Sequence, residues 1–432
     1  MTDAPRPQRL HIGLFGRRNA GKSSLCNALC GQEAALVSPM PGTTTDPVEK
    51  VMELAPLGPV VLLDTPGLDD AGELGAQRVA RSLRAVREVD MALIVLEDCL
   101  WGLPEQTAVR ALRAAGVPFG IVCNCRDAGM AGMARNWRPP AADLPAGVPL
   151  AVCRLPSGED GASLANAAAD LAEVRELLAQ LPPREDEAPL LRDLLPEGGC
   201  LILVCPQDGS APKGRLIMPQ VQAIRDALDG QALCMVVTDA GYAAALMALR
   251  EPPHLVVCDS QVVAAVAAAT PPAVPLTTFS ILMARLKGDL PLLARGAAAL
   301  RHLRPGDTVL IQEACSHHPQ ADDIGRVKIP RLLARLAGGE VACPMLSGRH
   351  WREYRSGQPA RAVVHCGGCT LTRRQMNQRL EEAARARLPM TNYGMAISLA
   401  QGVLERVLSP FPEALEAYRA AALDAAHNTG QD

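Results

Sequence analysis

A glycine-rich motif near the start of the chain constrains the fold more than any other feature of the sequence. Residues 16–23 read G-R-R-N-A-G-K-S, which fits the pattern G-x-x-x-x-G-K-S, and they lie between an apolar run (11–15) and a helix-forming stretch (22–29). In this placement, successive backbone N–H groups and the helix dipole bind phosphate. We expect Lys22 to neutralise the β- and γ-phosphates and the Ser23 hydroxyl to bind Mg²⁺. The residues predicted to contact the nucleotide here are Gly16, Asn19, Ala20, Gly21, Lys22, Ser23 and Ser24.

Two further motifs specify the class of nucleotide-binding domain. Residues 64–67 read D-T-P-G after the apolar run 60–63, so Asp64 would hold Mg²⁺ through water and the Gly67 amide would sense the γ-phosphate. Residues 41–46 read P-G-T-T-T-D, and Thr44 is the threonine that we expect to bind Mg²⁺ from a switch loop. The combination resembles the translation-factor-like GTPases, and it predicts hydrolysis of GTP by a water molecule at the γ-phosphate. The predicted catalytic residues are Lys22, Thr44, Asp64 and Gly67.

The base-reading element departs from the pattern of these GTPases. Where they carry N-K-x-D after a strand, residues 124–127 read N-C-R-D. Asp127 can still accept hydrogen bonds from guanine N1 and N2, which adenine does not offer, and Asn124 can still tie this loop to the phosphate loop. Because Cys125 replaces the lysine whose stem packs over the base, we expect selectivity for guanine with a weaker affinity.

Leu68 and Asn19 bear on the rate of hydrolysis. Leu68 stands where some GTPases place a water-orienting glutamine, so unaided hydrolysis should be slow. Asn19 stands where potassium-activated relatives carry an asparagine that helps to coordinate the cation, which makes K⁺ a candidate cofactor. In the alternative interpretation, Asn19 only forms the loop.

The rest of the chain alternates strand and helix signals, which predicts α/β domains with parallel sheets. We expect a P-loop GTPase domain at 1–182 and a linker rich in Pro, Asp and Glu at 183–199. A small parallel α/β domain at 200–283 and a mixed α/β domain at 284–432 would follow. The middle domain has no G-x-G-x-x-G motif after its first strand, so we expect interaction or oligomerisation rather than dinucleotide binding.

Composition excludes several other classes of protein. The net charge is −3 and aromatic residues make up 3% of the chain, which argues against nucleic-acid binding. No apolar stretch has the length of a membrane span and residues 1–10 contain no apolar signal segment, so we expect a cytoplasmic protein without a membrane partner. Most of the 14 cysteines lie in apolar segments, where they suit the role of small core residues.

Cysteine and histidine residues near the C-terminus form a different pattern. Cys315 and His317 follow one predicted strand, and His365, Cys366 and Cys369 follow another, with two glycines inside the C-x-x-C sequence. Three thiolates suit either Zn²⁺ or an iron–sulfur cluster, and His317 or His365 would supply a fourth ligand. The residues alone do not separate the zinc interpretation from the iron–sulfur interpretation.

A GTPase domain followed by C-x-H and then, after 47 residues, by H-C-x-x-C resembles the FeFe-hydrogenase maturation GTPases of the HydF family. Residues 210–217 (S-A-P-K-G-R-L-I), 323–326 (D-I-G-R) and 391–394 (T-N-Y-G) fit the same resemblance. The resemblance implies that the last domain is an iron–sulfur domain whose three cysteines hold a 4Fe–4S cluster, and that the middle domain is a dimerisation domain that makes a homodimer.

The same resemblance implies a function as a scaffold. The chain would carry a 2Fe subcluster precursor, deliver it to apo-FeFe-hydrogenase, and work with the radical-SAM maturases HydE and HydG. The alternative, from a different class, is a GTP-regulated zinc-binding adaptor without cluster chemistry.

Overall fold

The structure of the chain is a computed structural model that divides into two compact units, Met1–Asp186 and Glu187–Asp432. The division falls in the segment 183–199 that the sequence predicts to be a linker. The residues described are 9–30, 48–69, 72–140, 142–144, 147–155, 164–181, 189–207, 216–314, 323–348, 359–369 and 371–428.

The first unit contains a six-stranded sheet in the order β2-β3-β1-β4-β5-β6. Only the edge strand β2 runs antiparallel, against β3. The strands are β1 (Leu10–Phe15), β2 (Val48–Leu54), β3 (Gly58–Asp64), β4 (Met91–Glu97), β5 (Phe119–Asn124) and β6 (Leu150–Cys153). The helices are α1 (Lys22–Cys30), α2 (Gly72–Ala85), α3 (Leu103–Ala114), α4 (Ala128–Ala134) and α5 (Leu164–Gln180).

Strands β1 and β4 are mostly apolar, with His11 and Glu97 as their polar residues, because both faces of this sheet are covered. Alternate residues of β4 belong to two separate cores, with Leu93 in one and Ile94 in the other. A sheet buried on both faces produces continuous apolar runs rather than alternation, which is why these strands can be recognised in the sequence. The predicted doubly wound architecture of the first unit is confirmed.

The second unit contains two four-stranded sheets, both parallel throughout, in the orders β10-β9-β7-β8 and β12-β11-β13-β14. Their strands are β7 (Cys200–Val204), β8 (Leu233–Val237), β9 (Leu255–Cys258), β10 (Leu276–Thr278), β11 (Val309–Glu313), β12 (Met345–Ser347), β13 (Ala362–His365) and β14 (Met390–Asn392).

The helices of the second unit connect and cover these strands. They are α6 (Met218–Asp229), α7 (Tyr242–Ala248), α8 (Val263–Ala269), α9 (Phe279–Lys287), α10 (Leu290–Ala299), α11 (Ile329–Ala337), α12 (Arg373–Arg385), α13 (Tyr393–Ala400), α14 (Leu404–Leu408) and α15 (Pro412–Asn428). Two short 3-10 helices (Arg192–Leu194 and Leu300–His302) and one π-helix (Ile324–Lys328) complete the unit.

One continuous hydrophobic core, from Leu190 to Tyr418, joins the two sheets of the second unit. The expected domain boundary between residues 283 and 284 lies inside α9, and this helix packs against α12 and α13 of the later segment. The two segments therefore share one folded unit.

Residues 393–408 form two helices, α13 and α14. The break occurs at Gly402, which has a φ of +74° and follows the end of α13. A glycine adopts this left-handed conformation without the steric cost of a Cβ atom, so it ends the first helix. Among the residues described, no helix combines the length and the apolar character that crossing a membrane requires.

Candidate functional site

The turn between β1 and α1 has the backbone shape of a phosphate-binding loop. Gly16 has a φ of +148° and Gly21 a φ of +93°. A Cβ atom on Gly16 would lie 2.3 Å from the carbonyl oxygen of Val95, and one on Gly21 would lie 2.3 Å from Nδ2 of Asn124. Only glycine fits at these two positions, because both the conformation and the space exclude a side chain.

The side chain of Lys22 folds back over this loop. Its Nζ donates hydrogen bonds to the carbonyl oxygens of Gly16 (3.1 Å) and Arg17 (2.6 Å), and the residue is buried. The ammonium group is therefore held inside the curve of the loop, where it can neutralise a bound phosphate.

Ser23 and Asp64 lie in contact at the carboxyl end of the sheet. The Ser23 hydroxyl donates a hydrogen bond to Oδ2 of Asp64, while Oδ1 is buried without a hydrogen-bond partner among the described residues. Burial raises the pKa of the Asp64 carboxyl, against the hydrogen bond from Ser23 and the charges of Lys22 and Lys50. A hydroxyl and a carboxylate with an unused oxygen are ligands that suit Mg²⁺. The third expected ligand, Thr44, lies outside the described residues.

Gly67 and Leu68 approach the phosphate loop from the end of β3. A Cβ atom on Gly67 would lie 2.8 Å from the amide nitrogen of Arg18, so this position also requires a small residue. The Leu68 amide donates to the Gly16 carbonyl at 3.2 Å, and its side chain is buried in the core. Leu68 therefore has neither the chemistry nor the placement to orient a water molecule. Asn19 has a φ of +63°, a conformation that Asn tolerates better than most residues.

The base-reading loop is tied to the phosphate loop by Asn124, as the sequence predicts. Its Nδ2 donates to the carbonyl of Ala20 at 3.3 Å, and its Oδ1 accepts from the amide of Leu155 at 3.1 Å. Asp127 is the N-cap of α4, where its Oδ1 accepts from the amide of Met130 at 2.9 Å. The loop is thus held at both ends by hydrogen bonds.

Cys125 and Arg126 are neighbours in this loop, but one is buried and the other is exposed. Cys125 is 2% exposed and packs in the core with Cys123. Arg126 is exposed, and its guanidinium pairs with Glu97 at 2.6 Å and with Asp98 at 2.8 Å. The arginine therefore faces the acidic turn after β4, and in this structure it does not replace the missing lysine stem.

An ion pair between Arg17 and Glu105 anchors the phosphate loop, and the sequence does not predict it. Two hydrogen bonds of 3.0 Å join the guanidinium of Arg17 to the carboxylate of Glu105, which is buried at the N-terminus of α3. Glu105 also accepts from the amide of Gly102 at 2.9 Å, which fixes the start of that helix. The sequence shows only that Glu105 follows a proline at the start of a helix, and this pattern does not identify Arg17 as the partner of Glu105.

The C-x-x-C loop leaves the end of β13 in the second unit. Cys366 and Cys369 are half-buried, and Gly368 between them has a φ of +61°. The amide of Cys366 donates to the carbonyl of Gln312 at 2.8 Å, while its Sγ accepts a hydrogen bond from the amide of Ala314 at 3.3 Å. Cys315 and His317 lie outside the described residues. A backbone N–H directed at a cysteine sulfur fits a metal-bound thiolate, so the loop is compatible with either metal centre.

His365 is fully buried, and both of its ring nitrogens have partners. Nε2 lies 2.7 Å from a guanidinium nitrogen of Arg379, and Nδ1 lies 2.6 Å from the carbonyl oxygen of Cys366. Because a guanidinium only donates, Nε2 accepts this bond and Nδ1 donates the other. Burial, together with the charge of Arg379, lowers the pKa of His365 to about 3. A role as fourth ligand would require His365 to release Arg379.

Lys287 holds the C-x-x-C loop from α9. Its Nζ donates to the carbonyl oxygens of Gly368 (3.0 Å) and Cys369 (3.1 Å), and the residue is buried. The described part of the chain contains no group of three or more His, Cys, Asp or Glu side chains that is arranged to hold a metal ion, and this part includes only two of the three cysteines predicted for the site.

Comparisons with known families match three segments of the chain. Residues 11–125 match the family described as 50S ribosome-binding GTPase. Residues 190–288 match the hydrogen maturase F dimerization domain, and residues 291–410 match the hydrogen maturase F tetramerization domain. The last two segments together make up about half of the chain, and both are oligomerisation domains.

Individual relatives are similar to this chain over part of its length. The tRNA modification GTPase MnmE of Methylobacterium sp. (strain 4-46) is 41% identical over 121 residues, which are 27% of this chain and 26% of the relative. GTPase Der of Chloroflexus aurantiacus (strain ATCC 29366 / DSM 635 / J-10-fl) is 42% identical over 94 residues, 21% of each chain. The chain thus spans about a quarter or less of the length of these relatives.

The comparison with solved structures includes the G domain of the T. maritima FeoB iron transporter, at 19% identity and a TM-score of 0.28, which covers 40% of this chain and 98% of that one. A variant of Aquifex aeolicus Era bound to GDP·AlF4⁻ has 17% identity and a TM-score of 0.30, and covers 53% of this chain and 93% of that one. The predicted GTPase domain is confirmed by the family match over residues 11–125. Since the two hydrogen maturase F domains together match residues 190–288 and 291–410, about half of the chain, the chain belongs to the hydrogen maturase F family.

Proposed function

We propose that the chain is a GTP-hydrolysing scaffold in FeFe-hydrogenase maturation that holds a 4Fe–4S cluster and delivers a 2Fe subcluster precursor to apo-hydrogenase. One observation carries this proposal: a single chain joins a GTPase domain to hydrogen maturase F segments, and the later segment contains the Cys366–Cys369 loop. Partnership with HydE and HydG, and a location in the cytoplasm, where thiols stay reduced, are parts of the same proposal.

In the GTPase domain, each candidate residue has a separate task. Lys22 binds the β- and γ-phosphates, Ser23 and Asp64 hold Mg²⁺ together with Thr44, and the amide of Gly67 contacts the γ-phosphate. A water molecule then attacks the γ-phosphate. Since Leu68 cannot orient that water, Asn19 would help to hold a potassium ion, which would supply positive charge to stabilise the transition state.

In the second unit, Cys315, Cys366 and Cys369 hold the cluster. When bound, the cluster would supply the iron centre that carries the 2Fe cargo until its transfer. Support comes from the Ala314 amide that donates to the Cys366 sulfur and from the left-handed Gly368, which lets the loop turn around a metal centre.

An exposed sheet edge supports the proposed homodimer. Strand β8 ends its sheet, and Leu233 and Val236 on it are 65% and 41% exposed. Val221 and Leu228 on the neighbouring helix α6 are exposed as well. An unpaired strand edge with apolar side chains is a surface that a second copy of the chain can cover.

Metal content tests the scaffold against the zinc adaptor. We expect the chain purified without oxygen to be brown and to contain iron and acid-labile sulfide. Cys315→Ala, Cys366→Ala and Cys369→Ala should each lose iron and the ability to activate hydrogenase, while GTPase turnover stays near normal. Cys343→Ala is the matched control, because this half-buried thiol contacts a backbone carbonyl instead of the C-x-x-C loop.

Two results would contradict the scaffold. A colourless protein with one zinc ion per chain would favour the adaptor. Hydrogenase activation by the three cysteine variants at the rate of the unchanged chain would show that the cluster has no part in delivery.

A further inference from the structure

Among the residues that the structure describes, the buried guanidinium of Arg379 behind the C-x-x-C loop has no negatively charged hydrogen-bond partner. Arg379 on α12 is 2% exposed. It donates to Nε2 of His365 at 2.7 Å, to Oε1 of Gln312 at 3.5 Å and to the carbonyl of Gly348 at 2.5 Å. All three partners are neutral, and its Nε atom is buried with no hydrogen-bond partner in the described part of the chain.

A full positive charge at this depth requires an anion close by, because burial of an unpaired ion is strongly unfavourable. His365 cannot provide the negative charge, since it is a neutral acceptor. The acidic groups whose charge acts on Arg379 are the Cys366 thiol and, one turn further along α12, the Glu382 carboxylate. Glu382 forms no ion pair with Arg379 and accepts instead from Gln378 at 2.9 Å. Cys366 becomes a negative charge when a metal ion holds it as a thiolate.

A second buried cation contacts the same loop from a different helix. Lys287, at the end of α9, is 4% exposed and donates to the carbonyl oxygens of Gly368 and Cys369. Lys287 on α9 therefore contacts the loop itself, and Arg379 on α12 contacts His365, which immediately precedes it. A negatively charged metal centre on this loop would be stabilised by both positive charges.

We propose that Arg379 is a positioning residue that supplies the counter-charge for an anionic metal–thiolate centre at Cys366, with His365 as a neutral spacer between them. The positive charge of Lys287 adds to that of Arg379 at this centre. The inference rests on the proposed function for the identity of the metal centre. Because a nearby positive charge stabilises the more negative redox state, Arg379 raises the reduction potential of a bound cluster.

The first test measures the midpoint potential of the cluster in the anaerobically reconstituted full chain, with electron paramagnetic resonance as the readout. Arg379→Gln keeps a donor for His365 and removes the charge, Arg379→Lys keeps the charge, and Arg385→Gln removes an exposed charge on the same helix. We expect Arg379→Gln to favour the oxidised cluster by about tenfold, a shift of about 59 mV to more negative potential for one electron. Arg379→Lys should shift the potential much less, and Arg385→Gln should leave it unchanged.

The second test uses Co²⁺ added to the metal-free full chain, with its thiolate charge-transfer absorption as the readout. We expect about tenfold weaker Co²⁺ binding for Arg379→Gln and no change for Arg385→Gln. Lys287→Gln measures the same charge effect from α9, so a folding defect in one variant leaves the other measurable.

The outcomes separate this inference from the proposed function. The inference is overturned if removing the Arg379 and Lys287 charges changes neither the potential of the cluster nor the affinity of the metal-free chain for Co²⁺. This result would leave the scaffold proposal standing, and Glu382 would then be the counter-ion. Weaker Co²⁺ binding by Arg379→Gln in a chain that takes up no iron supports the inference and overturns the cluster. A chain that binds neither metal overturns both.

Discussion

The hydroxyl of Ser23 and the carboxylate of Asp64, which are 41 residues apart in the chain, are joined by a hydrogen bond of 2.5 Å. Two Mg²⁺ ligands that the sequence predicts from separate motifs therefore lie side by side. The arrangement is maintained by the parallel pairing of β1 with β3, which brings the end of β3 next to the start of α1.

Removal of the Ser23 hydroxyl should weaken GTP binding only where Mg²⁺ takes part. We expect Ser23→Ala to lower the affinity for GTP by about tenfold in Mg²⁺, which corresponds to about 1.4 kcal/mol, with little change in EDTA. The measurement is a titration with a fluorescent GTP analogue in both buffers. An equal loss in Mg²⁺ and in EDTA would show that Ser23 acts on the fold of the loop instead of on the metal.

Asp127 has two roles that a pair of variants can separate. It caps α4 through the amide of Met130, and we expect it to read guanine. Asn is as good a cap as Asp, so Asp127→Asn should keep the stability of the domain, whereas Asp127→Ala should lose about 1 kcal/mol. Both variants should lose GTP affinity by roughly two orders of magnitude or more, because the base-edge hydrogen bonds are gone.

Binding of a different nucleotide, XTP, provides the control for the role of Asp127. The Asn amide can donate to the 2-oxo group of xanthine, so Asp127→Asn should bind XTP better than the unchanged chain does, and Asp127→Ala should not. Competition by ATP at concentrations similar to those of GTP in the unchanged chain would contradict the role of Asp127.

Potassium should accelerate hydrolysis through the side chain of Asn19. Turnover is expected to rise when K⁺ replaces Na⁺ at constant ionic strength, because the cation supplies charge that Leu68 cannot. Asn19→Gly is the informative variant, since glycine keeps the φ of +63° and removes only the amide. If that variant still responds to K⁺, or if the unchanged chain has equal rates in both salts, Asn19 only shapes the loop.

Cys30 should be the most reactive thiol of the first unit near neutral pH. A hydrogen bond from Cys26 and the nearby charge of Lys50 lower the pKa of Cys30 to about 7, against burial, which raises it. The thiolate is therefore present above pH 7, and alkylation by iodoacetamide should be half-maximal near that pH. Peptide mass spectrometry gives the rate at each cysteine.

Two comparisons check the Cys30 prediction. Cys26→Ala removes the hydrogen bond, so the midpoint of alkylation should move up toward the value of an ordinary cysteine, about 8.5. Cys343 is a half-buried thiol whose pKa burial raises to about 11, so it should react much more slowly at pH 7. A midpoint for Cys30 that is the same with and without Cys26 would contradict this account.

The parts of the fold that local pattern determines could be predicted from the sequence. Strands such as β4 and β7 are almost entirely apolar because both of their faces are covered, and the phosphate loop follows from the spacing of Gly16 and Gly21. The strands β12 and β14 have three residues each, too few to show a period, and β2 has the mixed polarity of an exposed edge. None of these three strands was expected.

The parts of the site that depend on distant contacts could not be predicted. Lys287 contacts Gly368 across 81 residues, and Arg17 contacts Glu105 across 88. His365 shows the same limit, since its position before Cys366 suggests a ligand while a guanidinium 14 residues away occupies its Nε2 atom. Periodicity and motif spacing contain no information about such pairs.

Cys125 illustrates how the fold changes an expectation about the site. From the motif alone, Cys125→Lys should restore the usual base-reading loop and tighten GTP binding. In the structure the thiol is buried in the core beside Cys123, so a lysine there would bring an ammonium group into an apolar environment. The substitution that repairs the motif is therefore expected to destabilise the domain.

The hydrogen bonds from Lys287 to the C-x-x-C loop have a consequence for how the chain can be divided. Lys287 lies in the segment that matches the dimerization domain, whereas the carbonyl groups that it holds lie in the segment that matches the tetramerization domain. A chain cut between these two segments would leave the loop without its anchor and would open the core that they share. We therefore expect the two segments to fold, and to be expressed, as one piece, although each is recognised as a separate family of domains.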